Sequence, residues 1–265
     1  MALYARTISA VVERISAPAA ARCGNAAAGP APPVPDPDVM APPSTNTPAP
    51  DAPSGHETGK QERRSRIVAA ASDIIREAGI DGVTVEAIAR RAGVSPATVY
   101  NLFGNRAAIF DHIFDVDMAQ YEALVAAHTG AGPVGLFFDA IDVATGLYAR
   151  QPDYYKALMR LSERDGPLYV SFSRPRHAFW TRLVREAHAA GALMPDLDHE
   201  AAGGALAAIA RGALYFWVEG RASLAQLHHQ FSYGFGLVLL SMVIDTERAV
   251  VRARMNAPFP HGSPG

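Results

Sequence analysis

The chain of 265 residues has a single cysteine, almost no net charge and no long hydrophobic run. The lone Cys23 cannot form a disulfide within the chain, as expected for a protein of a reducing compartment. The longest apolar stretch, around residues 234–244, covers about 11 residues and is too short to cross a bilayer. The net charge of −2 gives no general attraction to nucleic acid, so any such contact must use a local basic patch. We therefore expect a cytoplasmic protein that does not contact a membrane.

No catalytic or metal-binding pattern stands out in the sequence. A phosphate-binding glycine loop, a nucleophile setting and paired carboxylates at useful spacing are all missing, so we expect neither an enzyme nor a cofactor. His177, His188 and His199 are spaced by 11 residues, which would align them on one face of a single helix. Breaks at Gly191 and Pro195 interrupt such a helix, so we expect no metal site.

The chain divides by composition into four parts. Residues 1–59 are rich in alanine and proline, and too few apolar residues remain to form a core, so we expect a disordered extension. Whether this segment belongs to the native protein stays open, because Met40 offers an alternative start. Residues 60–112 and 113–255 show helical periodicity and no strand pattern, which predicts two helical domains. Residues 256–265 are rich in proline and glycine and predict a flexible tail.

Residues 84–103 predict two short helices joined by a tight turn. Thr84 and Ser95 each precede a helical run and can accept hydrogen bonds from the free N–H groups of its first turn. Pro96 occupies the first position of the second helix, where its missing N–H costs nothing. Gly93 lies between the helices, where a left-handed residue can end the first one. Together these features are typical of a helix-turn-helix.

The second of these helices presents polar side chains outward. Its outer surface is expected to carry Ala97, Thr98, Tyr100 and Asn101, where it can enter the major groove of DNA. The apolar positions predict a small core formed by Val85, Ile88, Ala89, Val94 and Val99. Four basic residues lead into a supporting first helix and can contact phosphates: Lys60, Arg63, Arg64 and Arg66. The bare pattern also fits a packing unit of three helices without any ligand.

Residues 66–110 resemble the N-terminal domain of the TetR family of transcriptional regulators. The matching features are Ala78-Gly79, Thr84-Val85, Ile88-Ala89, Ala92-Gly93-Val94-Ser95, Thr98-Val99-Tyr100, Phe103 and a basic residue at position 106. The resemblance implies a homodimeric, ligand-responsive DNA-binding protein, usually a repressor. It also implies an all-α fold of about nine helices, with a homeodomain-like helix-turn-helix domain before a C-terminal bundle for effector binding and dimerisation.

The resemblance also assigns DNA contacts, residue by residue. Thr84, Tyr100 and Arg106 would contact phosphates, while Ala97, Thr98 and Asn101 would face bases; Arg64 adds a phosphate contact from the basic run. The full set of expected DNA-binding residues is Thr84, Ser95, Ala97, Thr98, Tyr100, Asn101, Arg106 and Arg64. The chain departs from the family pattern at Leu102, where histidine or tyrosine is common, so one phosphate contact is in doubt. Arg106 replaces the usual lysine and Ala97 a frequent glycine.

The region after the helix-turn-helix is predicted to hold six helices, over about 105–128, 134–150, 151–165, 168–190, 198–220 and 223–251. An effector pocket should lie among the first five of these. The candidate lining residues are mostly aromatic, which favours a small apolar or aromatic effector: Tyr121, Tyr148, Tyr155, Met159, Phe172, His177, Trp180 and Trp217. Each of them also fits plain core packing, because a bundle of this size needs many large apolar residues.

The last two helices carry a stripe of small and apolar residues that suits close helix packing. The expected dimer contacts are Ala208, Gly212, Phe231, Phe235 and Leu239. The same stripe would arise from packing within one chain, and the sequence alone favours neither alternative. The resemblance implies a dimer across a two-fold axis, which would place two recognition helices about 34–36 Å apart on a palindromic operator.

The sequence therefore predicts a transcriptional regulator with double-stranded DNA, a small-molecule effector and a second copy of itself as partners. We expect a repressor that binds a palindromic operator, leaves it when the effector binds, and associates with the nucleoid in the cytoplasm. The alternative is a helical structural or partner-binding protein that does not read DNA.

Overall fold

The computed structural model describes residues 55–128, 130–164 and 166–260, without the side chains of residues 55, 56, 162–164 and 166–172. Most of the expected disordered extension (residues 1–54), the side chain of Phe172 and residues 261–265 of the expected tail lie outside these described residues. The chain divides between Ser65 and Arg66 into two units. Over the described residues the chain forms ten α-helices and two 3-10 helices, which confirms the all-α fold.

The helix-turn-helix forms where the sequence predicts it. Five elements make up this part of the chain: α1 (Gly55–Ala78), a 3-10 helix (Ile80–Gly82), α2 (Val85–Ala92), α3 (Pro96–Phe103) and α4 (Arg106–Ala126). Helix α1 thus begins at Gly55, inside the segment expected to be disordered. Gly93 ends α2 with φ of 65°, a left-handed conformation that residues with a Cβ atom rarely adopt.

Apolar side chains from α1 to α4 form one small core. The buried members from Arg66 onward include Ile67, Ala71, Ile75, Ile88, Ala89, Val99, Phe103, Ile109 and Phe110. Val85 and Val94, expected in this core, are only half-buried. The three helices around α3 are therefore fixed by shared apolar contacts, and the outer side of α3 is left to solvent.

The rest of the chain forms a helical bundle. Its helices are α5 (Gly132–Arg150), α6 (Pro152–Arg164), α7 (Gly166–Ala189), α8 (His199–Val218), α9 (Leu224–Leu240) and α10 (Arg248–Met255), with a 3-10 helix (Asp245–Glu247) before α10. Two glycines allow close approach of neighbouring helices. A Cβ atom at Gly203 of α8 would overlap Thr181 of α7, and one at Gly234 of α9 would lie 2.7 Å from the Cγ2 atom of Ile209 of α8. The helix axes can approach this closely only because those side chains are missing.

The single helix predicted over residues 223–251 is wrong: the structure has two helices there. Helix α9 ends at Leu240, and the following residues pair with the connection between α7 and α8. The Met194 N–H donates to the Met242 carbonyl at 2.8 Å, and the Ile244 N–H donates to the Ala192 carbonyl at 3.1 Å. The apolar periodicity of the sequence continues through this break, so it gives no sign that the helix ends. The break is caused by backbone pairing with residues about 50 positions earlier in the sequence.

Helix α10 folds back onto α5 through a charged network. The Arg254 guanidinium donates to Asp139 at 2.7 Å and to Asp142 at 3.0 Å. The Nε2 atom of His228, a buried residue of α9, lies 2.8 Å from Asp142. Because the carboxylates are partly buried, they need these partners, and the network fixes the last helix in place.

Among the described residues, α8 is long and apolar enough to cross a membrane by length and composition. Helices in the interior of a bundle pass the same test. Helix α8 packs against both α7 and α9, so its apolar character has an explanation within the fold.

Candidate functional site

Helix α3 is held by caps that the sequence predicts. The Thr84 hydroxyl accepts from the Ala87 N–H at 3.1 Å, at the start of α2. The Ser95 hydroxyl accepts from the Thr98 N–H at 3.1 Å, at the start of α3, and Pro96 occupies the first turn. Each cap satisfies an N–H group that the helix itself cannot pair, which stabilises a short helix by about 1 kcal/mol.

The outer face of α3 carries an unusual aromatic side chain. Tyr100 is 52% exposed and is one of the few large hydrophobic residues on the surface. Ala97 and Asn101 are also exposed, whereas Thr98 is half-buried and its hydroxyl lies 2.9 Å from the Ser95 hydroxyl. The prediction that this face points outward therefore holds for Ala97, Tyr100 and Asn101, while Thr98 lies at its edge.

Arg106 lies at the start of α4, next to this face. One nitrogen of its guanidinium donates to the Ile80 carbonyl at 3.1 Å, and the group lies 5.1 Å from the centre of the Phe110 ring. A guanidinium has five N–H donors, so these contacts orient it and still leave donors for a phosphate. The Asn105 side chain accepts from the Ala108 N–H at 2.9 Å and caps the same helix. Arg64, by contrast, belongs to the first unit, where it is half-buried on α1.

A cavity of about 50 Å³ lies in the bundle, among α4 to α9. Four of the expected effector residues line it: Tyr121, Tyr148, Tyr155 and Trp180. Its other walls include Met118, Phe179 and Phe231, so most of its surface is aromatic or aliphatic. A volume of this size holds about one or two water molecules, at about 30 Å³ each, so a larger ligand would have to displace side chains.

Two charged residues line this cavity, and neither is among the expected effector residues. Asp117 comes from α4 and Arg176 from α7, and both are half-buried. Burial raises the pKa of Asp117 from its ordinary value of 3.8 to about 6, against the opposing effects of a hydrogen bond from Tyr154 and the charges of Arg76 and Arg176. Burial lowers the pKa of Arg176, and the nearby Tyr148 and Asp117 oppose that shift.

Two tyrosines of the cavity, Tyr121 and Tyr148, keep their protons. Burial is the main cause that raises the pKa of Tyr121 and of Tyr148, so both hydroxyls stay neutral donors at physiological pH. Tyr148 also shares a hydrogen bond with Arg176, and Tyr121 donates to the Ala140 carbonyl at 3.1 Å. The cavity thus combines aromatic walls with a guanidinium and hydroxyl groups.

A series of contacts connects the cavity to the helix that supports α2 and α3. The Tyr154 hydroxyl donates to Asp117 at 3.0 Å, and the Arg76 guanidinium of α1 lies 4.6 Å from the centre of the Tyr154 ring. Arg76 also bonds Asp73 and Gln151, each at 2.7 Å. Asp117 is thus connected to α1 through Tyr154 by direct contacts.

Three other expected effector residues lie outside the cavity wall. Met159 is buried in the packing behind it, and Trp217 stacks on Tyr148 with the ring centres 5.3 Å apart. His177 lies at the surface, 3.4 Å from a Glu200 carboxylate oxygen. The structure thus does not bring these three residues to the wall of this cavity, and their part in effector binding stays a prediction.

A signal for the two missed residues was present in the sequence. Asp117 follows Phe110 and Phe114 at helical spacing, so it is a charge on an otherwise apolar face of α4. Arg176 precedes Phe179 and Trp180 in the same way on α7. A charged residue within an apolar stripe is costly to bury and points to a polar role in the interior.

The structure also corrects part of the expected dimer surface. Phe231, Phe235 and Leu239 are at most 2% exposed in the single chain, because this side of α9 faces the bundle core. They have no surface left for a second copy. Ala208 and Gly212 are exposed on α8, and they stay predicted dimer contacts.

His188 and His199 meet, although the breaks at Gly191 and Pro195 place them on different helices, as expected. The chain folds back after Gly191, and His199 Nε2 lies 3.0 Å from His188 Nδ1. His188 Nε2 lies 3.2 Å from the Pro195 carbonyl. Within the part of the chain that the structure describes, no group of three or more His, Cys, Asp or Glu residues could hold a metal ion.

Comparison with known proteins places the helix-turn-helix in a family. Residues 67–113 match the family model described as bacterial regulatory proteins, tetR family. The HTH-type transcriptional regulator YdeS of Bacillus subtilis is 32% identical over 138 residues, which cover 51% of this chain and 69% of that protein. The HTH-type transcriptional repressor KstR2 of Mycolicibacterium smegmatis is 24% identical over 159 residues, which cover 57% and 75% of the two chains.

Solved structures agree with this assignment at the level of the fold. SmeT, the repressor of the Stenotrophomonas maltophilia multidrug efflux pump SmeDEF, aligns with a TM-score of 0.55 at 21% identity and covers 76% of this chain and 97% of its own. RolR in complex with resorcinol aligns with a TM-score of 0.55 at 14% identity and covers 77% and 98%. The helix-turn-helix, the all-helical bundle and these similarities lead to one conclusion: the chain belongs to the TetR family of transcriptional regulators.

Proposed function

We propose that this regulator binds a palindromic DNA operator as a homodimer, represses transcription there, and leaves the DNA when a small, largely apolar or aromatic effector enters the bundle. It acts in the cytoplasm without catalysing a reaction. The observation that carries the proposal is the outer face of α3, where the Tyr100 side chain is about half exposed. The caps at Thr84 and Ser95 stabilise the first turns of α2 and α3.

The exposed face divides into two kinds of contact. Thr84 and Arg106 are proposed to contact phosphates, because a hydroxyl or guanidinium at a helix N-terminus meets a negative charge favourably. The hydroxyl of the exposed Tyr100 is proposed to donate to a further phosphate. Ala97 and Asn101 are proposed to meet base edges, since both are exposed on the same helix. Thr98 can face a base through its methyl group, because its hydroxyl is already close to Ser95.

Selection of bound fragments from random double-stranded DNA tests the operator. We expect an enriched palindrome whose half-sites lie one helical turn apart, about 10 base pairs, since two-fold symmetry of the protein imposes two-fold symmetry on the site. The proposal is falsified if the full chain enriches no motif at moderate salt. The matched control is the Asn101→Ala variant, which should select a changed motif rather than none.

The homodimer is proposed to form through the exposed side of α8 and α9. Ala208, Gly212 and Phe216 follow one another at helical spacing on α8, and Tyr233 and Leu237 do so on α9. The large hydrophobic side chains of this set, Phe216, Tyr233 and Leu237, are 43–55% exposed, and exposed apolar patches mark contact surfaces.

Gly212 offers a clean test of this surface. A Cβ atom at this position would meet nothing within 4 Å, so Gly212→Glu leaves the single chain intact. It puts a charge into the proposed interface, and we expect monomers in light scattering, with weaker operator binding. Ala123→Glu, an equally exposed change on α4, should stay dimeric. A dimer that persists in Gly212→Glu contradicts the proposed surface.

The effector site is proposed to be the cavity lined by Tyr121, Tyr148, Tyr155 and Trp180. Its walls suit a small aromatic molecule, and the relative solved with resorcinol gives a precedent for one. Repression is proposed because two of the similar proteins are described as repressors.

A further inference from the structure

We propose that His188 and His199 bind one divalent transition-metal ion, such as Zn²⁺ or Ni²⁺, at the corner between α7 and α8. The ion takes Nδ1 of His188 and Nε2 of His199 as its protein ligands, and water fills its remaining positions. The site lies apart from the residues proposed to contact DNA and from those that line the effector cavity, so it does not depend on either proposal.

The fold brings together two histidines that are 11 residues apart in the sequence. His188 lies in the last turn of α7, and His199 is the first residue of α8. Gly191, with φ of 73°, lies in the turn between them. The expectation that no metal site forms here assumed that a single helix would have to carry the rings. The turn brings them together from two helices instead.

The distance between the two facing nitrogens fits a shared ion. His188 Nδ1 and His199 Nε2 lie 3.0 Å apart, and the ring centres lie 4.7 Å apart. With metal–nitrogen bonds of about 2.0–2.1 Å, two ligand nitrogens are about 3.4 Å apart in a tetrahedral site and about 2.8 Å apart at adjacent corners of a square. The observed distance lies between these values. Both rings are only half-buried, so each can tilt to direct its lone pair at the ion.

The hydrogen bonding of His188 prepares its Nδ1 atom as a ligand. The Nε2 atom of this ring lies 3.2 Å from the Pro195 carbonyl, which can only accept, so Nε2 carries the proton. In the neutral ring Nδ1 then holds a lone pair, and Nδ1 is the atom that faces His199. A ring N–H donated to a backbone carbonyl is a common way in which proteins orient a metal-binding histidine.

The second histidine changes its tautomer when the ion binds. Without the ion, the Nε2–H group of His199 donates to the lone pair of His188 Nδ1. On binding, this proton leaves to solvent and another is taken up at Nδ1 of His199, so the ring stays neutral. The ion thus replaces one hydrogen bond between the rings with two metal–nitrogen bonds.

The charge around the corner favours a cation. Asp196 and Asp198 lie next to His199 in the sequence and are exposed, and neither forms a salt bridge within the part of the chain that the structure describes. Asp198 caps α8 by accepting from the first N–H groups of that helix. Glu200 is already paired with Arg185. Two uncompensated carboxylates therefore make the local potential negative.

The number of ligands defines the kind of site. Structural zinc sites have four protein ligands. This corner supplies two, and over the described residues no third His, Cys, Asp or Glu completes a metal-binding group. The ion is therefore exchangeable. Two imidazoles favour Zn²⁺ and Ni²⁺ over Mg²⁺, which prefers oxygen ligands.

An ion shared by two helices stabilises the folded chain. The two nitrogens are placed together only when α7 and α8 are folded against each other, so the unfolded chain offers no such pair. The stability of the chain should therefore rise with the concentration of the ion.

Calorimetry on the full chain, without an affinity tag and freed of metal by a chelator, tests the site with Zn²⁺, Ni²⁺ and Mg²⁺. We expect Zn²⁺ and Ni²⁺ to bind and Mg²⁺ not to bind. His188→Gln and His199→Gln should each weaken Zn²⁺ binding by about tenfold to hundredfold or more, because loss of an outer partner of a metal ligand already costs that much.

His229→Gln is the matched control, because His229 is an exposed histidine of α9 whose ring contacts Tyr233. It should bind Zn²⁺ as the natural chain does. Urea unfolding gives a second readout. Zn²⁺ should raise the urea midpoint of the natural chain and of His229→Gln, and should leave the midpoints of the other two variants unchanged. The midpoints without metal show whether each variant is folded.

Several outcomes overturn the assignment. One is undiminished Zn²⁺ binding in His188→Gln or His199→Gln, which would place the ion elsewhere in the chain. Others are equal losses in all three histidine variants, binding of Mg²⁺ as tight as that of Zn²⁺, or no binding of Zn²⁺ and Ni²⁺ at millimolar concentration.

Discussion

Replacing Asp117 with asparagine should change how the stability of the protein depends on pH. The carboxyl of Asp117 has its pKa raised from 3.8 to about 6, first by burial, which outweighs the hydrogen bond from Tyr154 and the charges of Arg76 and Arg176. The folded state therefore holds this proton more strongly than the unfolded chain does. The resulting stabilisation is full below about pH 3.8 and is lost as the pH rises through 6.

The magnitude follows from the two pKa values. Between pH 5 and pH 8 the natural chain should lose about 1.4 kcal/mol of unfolding free energy through this one group, and from fully acidic conditions about 3 kcal/mol. An asparagine side chain is uncharged at every pH, and its carbonyl can still accept the hydrogen bond from Tyr154. The Asp117→Asn variant should therefore gain about 1.4 kcal/mol relative to the natural chain between these two pH values.

Urea unfolding at pH 5, 6, 7 and 8, at one fixed protein concentration, measures this difference directly. Tyr154→Phe serves as the companion variant, because it removes a hydrogen bond that lowers the pKa of Asp117. In that variant the loss of stability should shift to higher pH. Parallel pH profiles for the natural chain and Asp117→Asn, or a natural chain that gains relative stability toward pH 8, would refute the reasoning.

Three further changes test other parts of the structure. Arg106→Ala should weaken binding to every DNA sequence alike and reduce the dependence of log affinity on log salt concentration by about one, measured by filter binding or anisotropy. A changed motif preference would contradict a phosphate contact, and the exposed Arg252→Ala on α10 is the control. Phe235→Ala should lower the unfolding free energy by about 3–5 kcal/mol in urea, because the ring is fully buried within one chain; loss of the dimer at unchanged monomer stability would contradict that placement. Gly93→Val should destabilise the helix-turn-helix by about 1–3 kcal/mol, since φ is 65°, and unchanged melting would show that the turn relaxes.

The helix-turn-helix could be predicted because its determinants are local. The caps at Thr84 and Ser95 and the left-handed Gly93 depend on neighbours within four residues, so the sequence shows them directly. The exposed face of α3 follows from the same short helix. Only Thr98 differs, since its side chain bonds back to Ser95.

The bundle was harder to predict because its determinants are distant in sequence. The end of α9 depends on backbone pairing with the connection after α7, and α10 is placed by Arg254 and its carboxylate partners on α5. The apolar stripe containing Phe231 and Phe235 showed that a face is buried, but not whether a second copy or the same chain buries it. Hydrophobic periodicity shows which face of a helix is buried, but not which other element packs against that face.

The charged residues of the cavity were missed for a related reason. Apolar and aromatic residues occur both in the core and in the cavity wall, so residue type alone does not separate the two. Met159 and Trp217 are buried but do not line the cavity. Asp117 and Arg176 would have been found by asking which charges interrupt an apolar helical stripe. Such interruptions mark the places where a polar group enters an apolar interior.

The small size of the cavity affects how tightly a ligand could bind there. If the cavity is the effector site, a space of about 50 Å³ must widen before a ring can enter, so only a minor population is competent to bind. The apparent dissociation constant then equals the intrinsic one divided by that population. Under that condition, substitutions in the surrounding packing, far from any ligand atom, would change the ligand concentration needed to fill the cavity.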